Sequence, residues 1–580
     1  MMAGLFFISA VVAAVCVLMR LVYRSFLPKP LPGIPCNKDS STRFLGDTSY
    51  FMEIRKSGGF WLHFFTDLLS NNKTPIAQFF PGPLSGTNVV IGDYREARDL
   101  MTKRSKDLGR GYKNIVAWQG VLPGHIIGME SFHPSFKEAS FLTKDLMTPN
   151  FLHGVSAPAS YRTVSNFVKL WKVKAAMADG LPFDAVDDLE GLTYDIITAA
   201  AFGAAEQNSQ TLERLRAVQK AEKAEFGDNG SFRLALFPRV EKPELLAALN
   251  VLTDRAGKAF QALFPKVALK LNGLRPSVRQ AYRSKREIIQ SYIDLAVKRL
   301  SRGGSDGEFH SAVDYVVSRE VAAAESAGRR PVFNSMYIND MLAGYLVAGQ
   351  DSTHSTLSFA VKYLTEHQDV QSRLRSALRL AYPEADEQDR QPTLEEVLKT
   401  QIPFLDAFIE ETLRICPPAA AITKQALCDM TVLGNFLPKG TLITFLLTGP
   451  TMTMAGAEVE ERKRGGLPPH KISSDGVDDW AQSPFPPGEF QPERWLRADG
   501  AGNVKFNSMA GPFLSFGSGP RGCWGKRLAY LELKLVVTLL VWNLEFMRLP
   551  DGMEDDGIIK GLVTKPKLCC VKLQSTTGRT

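Results

Sequence analysis

Phe516-Gly517-Ser518-Gly519-Pro520-Arg521-Gly522-Cys523-Trp524-Gly525 is the stretch on which the reading of this chain turns. One cysteine stands in a loop with Gly517, Gly519 and Gly522 before it and Gly525 after it, and Arg521 lies two residues upstream. Beyond Gly525 the pattern becomes helical through Lys526, Arg527, Leu528, Ala529, Tyr530, Leu531, Glu532 and Leu533. A cysteine at the head of a helix meets free N–H groups and the positive end of the helix dipole, both of which favour a thiolate. Glycines let the backbone approach a flat group closely, and an arginine binds a carboxylate in two-pronged fashion. The stretch is suited to a flat, carboxylate-bearing cofactor ligated by a thiolate.

Two further stretches carry chemistry. Glu411-Thr412-Leu413-Arg414 places an acid and a cation at i and i+3, on one face of a helix that Cys416-Pro417-Pro418 then ends. Read alone it is a surface ion pair. Ala348-Gly349-Gln350-Asp351-Ser352-Thr353 sits inside a long helical run from about Tyr337 to Leu364. Glycine in mid-helix costs about 1 kcal/mol relative to alanine, so Gly349 beside an acid and two hydroxyls asks for a reason. Read alone this points to a functional stretch, with a partly exposed polar helix face as the alternative.

The cysteine stretch resembles the haem-binding signature of the cytochrome P450 family, Phe-x-x-Gly-x-Arg-x-Cys-x-Gly, at every fixed position. The resemblance implies that Cys523 is the axial iron ligand of haem b (iron protoporphyrin IX), with Phe516, Gly519 and Gly525 shaping the loop and Arg521 on a haem propionate. Phe490-Gln491-Pro492-Glu493-Arg494-Trp495 resembles the family's second segment, so Glu411, Arg414 and Arg494 are implied to form a buried structural cluster. Residues 348–353 resemble the oxygen-activating helix. There the glycine makes room for dioxygen, and Asp351 with Ser352 relays protons; Ser352 stands where threonine is usual, and Thr353 competes for the role. Lys424, after the proline-ended helix, stands where the family often has a second basic propionate partner, or it is a solvated lysine. The family's Trp-x-x-x-Arg helix has no match: Phe136-Lys137-Glu138-Ala139-Ser140 lacks both fixed residues, which leaves Lys137 or Lys144 as substitutes.

Working outward, apolar residues are 44% and charged residues 22%, which is globular usage. The net charge of +8 is spread along the chain, which suits an acidic partner or an anionic membrane face and does not imply nucleic acid. The seven cysteines show neither zinc nor disulfide-framework spacing. His133, His153 and His354 show no metal spacing. Leu5 to Met19 is nearly all apolar, with Arg20, Arg24 and Lys29 after it; a cleaved signal peptide has its charges before the apolar run. The expected organisation is a membrane anchor over 1–24, a proline-rich hinge over 25–39 (Pro28, Pro30, Pro32, Pro35) and a catalytic domain over 40–580. Residues 454–489 read as a polar surface insertion.

The expected fold is mainly α with a small β region, the cytochrome P450 fold, preceded by one N-terminal transmembrane helix. By resemblance the chain is a microsomal-type monooxygenase similar to fungal secondary-metabolism members. It would insert one oxygen of dioxygen into a small, largely apolar organic substrate, with electrons from NADPH–cytochrome P450 reductase, at the endoplasmic reticulum membrane with the catalytic domain cytosolic. The rival classes are a haem-thiolate isomerase or dehydratase and a haem-binding sensor. Phe226, Phe232, Phe237, Ile422 and Leu562 are the expected apolar substrate contacts.

Overall fold

The structure is a computed structural model that describes residues 2–56, 61–82, 85–203, 209–221, 223–229, 232–262, 264–301, 309–449, 452, 484–499, 502–553 and 557–576. Most of the expected insertion over 454–489 lies outside the described residues. The chain divides into two units, Met1–Gly111 with Ala421–Ser474, and Tyr112–Ala420 with Asp475–Thr580.

The first unit begins with the helix Met2–Phe26, whose side chains from 10 to 26 are all exposed. The helix is where the sequence puts it, but among the described residues no helix is long and apolar enough to cross a membrane. The prolines that follow cannot continue a helix, and the segment is tied down instead of swinging free. Gln78 accepts from the Leu31 N–H at 2.8 Å and donates to the Leu31 carbonyl at 3.0 Å, while its backbone N–H donates to Pro35 at 2.8 Å.

Gln78 belongs to a five-stranded sheet in the order Ile76–Phe79, Asn88–Ile91, Leu442–Leu446, Ala421–Ala426, Leu108–Arg110. Asn88-Val89-Val90-Ile91 forms a strand, buried throughout and paired parallel with Leu442–Leu446. The turn at Leu433-Gly434 joins Met430–Val432 to Asn435–Leu437, with φ of 49° and 77°, the left-handed pair that a two-residue hairpin needs.

The second unit is mainly helical. Its axis is the long helix Met336–Glu366, started by Ser335, whose side chain accepts from the Tyr337 N–H. Val186–Phe202 packs along it, and Lys526–Asn543, the helix after Cys523, also meets it. Apolar side chains of these elements form one core with Trp171, Trp542 and Phe546, all fully buried. A three-stranded sheet of Leu544–Met547, Cys570–Ser575 and Phe183–Asp184 closes one side. The hairpin Ile558–Lys560 with Thr564–Pro566 lies against the long helix.

Gly349 has a packing reason. A Cβ on Gly349 would meet Ile197 Cδ1 at 2.5 Å. The glycine lets Val186–Phe202 come close to the long helix, so the direction its missing side chain would take is toward Ile197. The expectation that it makes room for dioxygen does not describe that direction.

Candidate functional site

The cysteine loop is built from the backbone outward. Gly517 and Gly519 have φ of 63° and 70°, a region open to glycine at no steric cost. The loop then doubles back, with the Cys523 N–H donating to the Phe516 carbonyl at 2.7 Å and Gly522 N–H to Gly519 at 2.9 Å. Ser515 Oγ donates to the Leu413 carbonyl at 2.6 Å and pins the loop to the helix Pro403–Ile415. Gly525 caps the helix Lys526–Asn543.

Cys523 is solvent-exposed as a residue, yet its thiol is partly desolvated by its surroundings. That desolvation pushes its thiol up, opposed by the Gly525 N–H and the Lys526 ammonium. Burial therefore outweighs the helix terminus, and the expected lowering of the thiol by the helix dipole is reversed. An exposed soft sulfur donor in a glycine loop fits a haem iron, which would take the thiol proton's place. Lys526 Nζ lies 5.5 Å from the Phe516 ring centre and 5.7 Å from that of Tyr530.

Arg521 donates Nη2 to the carbonyls of Ile126 at 3.0 Å and Met129 at 3.2 Å. Its guanidinium lies 4.6 Å from the centre of the Phe136 ring. Phe136 is the residue standing where the family motif has tryptophan, so an aromatic ring is kept there. Ser140, in place of the motif's arginine, has a buried hydroxyl with no partner. Lys137 is exposed, and Lys144 sits over the Phe141 ring at 4.6 Å. Lys424 belongs to the first unit, on Ala421–Ala426, in register with Arg110 and Ile443.

The Glu411 cluster closes as expected and more fully. Arg414 donates Nε and Nη2 to Glu411 at 2.8 Å each, and Arg494 Nε donates to Glu411 Oε1 at 2.9 Å. Trp495 Nε1 donates at 2.8 Å and the Gln491 N–H at 2.9 Å, two donors the sequence does not single out although they flank Arg494. Burial alone would raise the Glu411 carboxyl; Arg414 and Arg494 more than offset it and hold it low.

On the long helix, three neighbouring side chains go three ways. Asp351 Oδ1 pairs with Lys565 Nζ at 2.7 Å. Ser352 Oγ donates to the Ala348 carbonyl at 2.5 Å, on the outward side. Thr353 is buried and donates to Glu532 Oε2 at 3.1 Å. Glu532 has no cation partner; burial raises its carboxyl to about 8, with the Thr353 hydroxyl opposing. Its other oxygen and the Tyr345 hydroxyl are both buried without partners. Neither Glu532 nor Lys565 carries a local sequence signal toward residues 351–353.

Of the expected apolar contacts, Phe237 is half-buried and packs against the core, edge-on to Phe183 at 5.5 Å. Phe226 and Phe232 lie on the hairpin Glu225–Asn229 with Phe232–Leu236, where Arg233 covers the Phe226 ring at 5.3 Å. His133 caps the helix Pro134–Thr143, a structural role.

Comparison with known proteins agrees with this architecture. The Cytochrome P450 family matches residues 51–451 and 485–573. Cytochrome P450 monooxygenase TRI13 of Fusarium sporotrichioides is 32% identical over 96% of this chain and 97% of its own. Cytochrome P450 monooxygenase xilC of Penicillium rubens is 32% identical over 92% of this chain and 90% of its own. The Hps1-dma1 cluster cytochrome P450 monooxygenase cyp3.1 of Dothistroma septosporum is 36% identical over 51% of this chain and 98% of its own. Fold, cysteine loop and Glu-Arg-Arg cluster together define a haem-thiolate class of protein. The chain belongs to the cytochrome P450 family, and its activity is that of an oxygen-incorporating monooxygenase.

Proposed function

We propose that this monooxygenase binds haem b at Cys523 and oxidises a small, largely apolar organic substrate in secondary metabolism, with NADPH-derived electrons from the P450 reductase. The observation that carries the reading is the exposed Cys523 side chain in a loop turned by Gly517 and Gly519 and closed by the Cys523 N–H on the Phe516 carbonyl. The name of the Dothistroma relative, which places it in a gene cluster, supports the setting in secondary metabolism.

When bound, the haem supplies an iron that activates dioxygen. The remaining work falls to side chains of the chain. Cys523 Sγ would hold the haem iron, and Phe516, Gly519 and Gly525 would shape the loop around it. Arg521 would hold a propionate, exchanging its two carbonyl acceptors for a charged one. Lys424 is the second proposed propionate partner. Asp351 and Ser352 would relay protons: Lys565 fixes the position of the Asp351 carboxylate, and the Ser352 hydroxyl, which here donates to the Ala348 carbonyl, would turn to pass a proton on. Thr353 stays with Glu532 as a buried brace. Glu411, Arg414 and Arg494 hold the scaffold.

The N-terminal helix, with Val11, Val15, Leu18 and Leu21 exposed and Arg20, Arg24 and Lys29 at its end, is proposed to hold the enzyme on the endoplasmic reticulum membrane as a single-pass anchor. The catalytic part, 40–580 beyond the hinge at 25–39, would face the cytosol. Protease added to intact microsomes should digest it; glycans on Asn72 or Asn229 would place it in the lumen instead.

The test of function is spectral and then chemical. The reduced protein with carbon monoxide should show the red-shifted band of a thiolate-ligated haem, and Cys523→Ser should lose it. Reductase and NADPH should then convert a metabolite from a producing extract. Retention of the thiolate band by Cys523→Ser would overturn the assignment.

A further inference from the structure

Arg255 lies near the end of the helix Glu244–Gln261, where the short helix Pro265–Gly273 leads into Pro276–Ser301. It is 8% exposed. Its guanidinium lies over the Tyr282 ring, 5.6 Å from the centre. Gly273 leaves it space, since a Cβ at that position would come within 3.1 Å of Nη1. Arg255 Nε and Nη1 are both buried with no hydrogen-bond partner.

A buried charge persists only when something compensates it. The usual compensation is missing among the described residues. From Arg255 to Arg286 the chain has nine lysines and arginines and no aspartate or glutamate. Asp254, just before this run, pairs with Lys258 at 2.5 Å. Asp340, whose charge is felt at Tyr282, gives Oδ1 to Lys285 at 2.5 Å and Oδ2 to the Gly124 N–H at 2.8 Å. The Tyr282 hydroxyl donates to the Gly120 carbonyl at 2.6 Å, so the ring serves Arg255 only through its face.

We propose that Arg255 forms an oxyanion-binding site at the junction of these three helices, taking the carboxylate or phosphate group of a small molecule. The guanidinium presents a rigid fork of donors that matches either group two-prongedly. Tyr282 holds the fork's plane from one side, and Gly273 leaves the space a side chain would otherwise fill. The surrounding run of cations, including Lys266, Lys270, Arg275 and Arg279, raises the local potential and draws an anion in. This site is separate from the residues assigned to the haem and does not depend on the substrate reading.

The test uses the full-length holoenzyme with sodium benzoate and inorganic phosphate, each against sodium chloride at equal ionic strength. Calorimetry should give saturable one-site binding of at least one probe, weakened tenfold or more in Arg255→Met. In chloride, Arg255→Met should melt at or above the wild type, because a naked buried charge has been removed. The probe should raise the midpoint of the wild type and leave that of Arg255→Met unmoved. Benzoate alone would assign an organic acid, phosphate alone a phosphate ester, and both a general oxyanion site. Gly273→Ala, which keeps the arginine and fills its space, should weaken the probe too, and decides the matter if Arg255→Met does not fold. The proposal is overturned if neither probe binds more tightly than chloride, or if Arg255→Met binds as well as the wild type. It is equally overturned if Arg255→Met melts lower in chloride, or if the binding shifts the haem absorption equally in both proteins.

Discussion

Gly349→Ala tests why a glycine interrupts the long helix. On an exposed helix the change would stabilise by about 1 kcal/mol, because alanine has the better propensity. Here the new methyl points at Ile197, with Cδ1 at 2.5 Å, Cγ1 at 2.8 Å and Cβ at 3.6 Å. Ile197 is 1% exposed and part of a packed core, so it has little room to swing. Overpacking of this kind costs about 1–3 kcal/mol. The net expectation is a loss of up to about 2 kcal/mol once the propensity gain is subtracted. Ile197→Ala removes both close atoms and leaves only the ordinary 3.6 Å contact; alone it costs about 2–5 kcal/mol through the cavity. In that background Gly349→Ala should change sign and stabilise by about 1 kcal/mol, since the methyl enters space already vacated. The coupling in a double-mutant cycle should therefore be about 1–3 kcal/mol. Urea unfolding of the four proteins, haem-loaded and matched in haem content, measures it. Additivity to within about 0.5 kcal/mol would refute the packing account and return the glycine to the oxygen-binding role that the family resemblance implies.

Other outcomes follow from the same geometry. Glu411→Gln leaves two guanidiniums that are at most 2% exposed without a full counter-charge, and should cost about 3–5 kcal/mol in unfolding experiments, with haem retention falling in parallel. Glu532 holds its proton in the folded protein up to about pH 8 and releases it near 4.5 when unfolded, so the folded state binds the extra proton between those values. Stability that Glu532 contributes at low pH is thus lost as pH rises through that window; Glu532→Gln should melt progressively higher than the wild type from pH 5 to pH 8, and a parallel pair of curves would contradict the assignment. Ser352→Ala should release more peroxide per NADPH consumed while binding and reducing haem normally. Ser352→Thr should stay coupled; if instead Thr353→Val leaks peroxide and Ser352→Ala does not, the proton-delivering hydroxyl is that of Thr353.

What could be read directly from the chain is what short-range geometry controls. Gly517 and Gly519 adopt positive φ to turn the loop, Gly525 starts the helix, and Cys523 falls between them, so ten consecutive residues specify the cysteine loop. Glu411 and Arg414 meet because a helix brings i and i+3 together, and the strand Asn88–Ile91 and the turn at Leu433-Gly434 follow from local patterning.

Contacts between distant segments were decided only when the helices packed. Trp495 and Gln491 complete the Glu411 cluster because the segment around Arg494 folds back over Pro403–Ile415. Asp351 receives Lys565 from a hairpin far along the chain, and Thr353 turns to Glu532 because Lys526–Asn543 meets the long helix on that face. Phe237 comes to rest against the core because Phe183 stands opposite it. Local sequence sets backbone angles and one face of each helix; which side chain a buried charge or hydroxyl finds depends on how those faces meet, and burial raises the stakes of each pairing by removing water as the alternative partner.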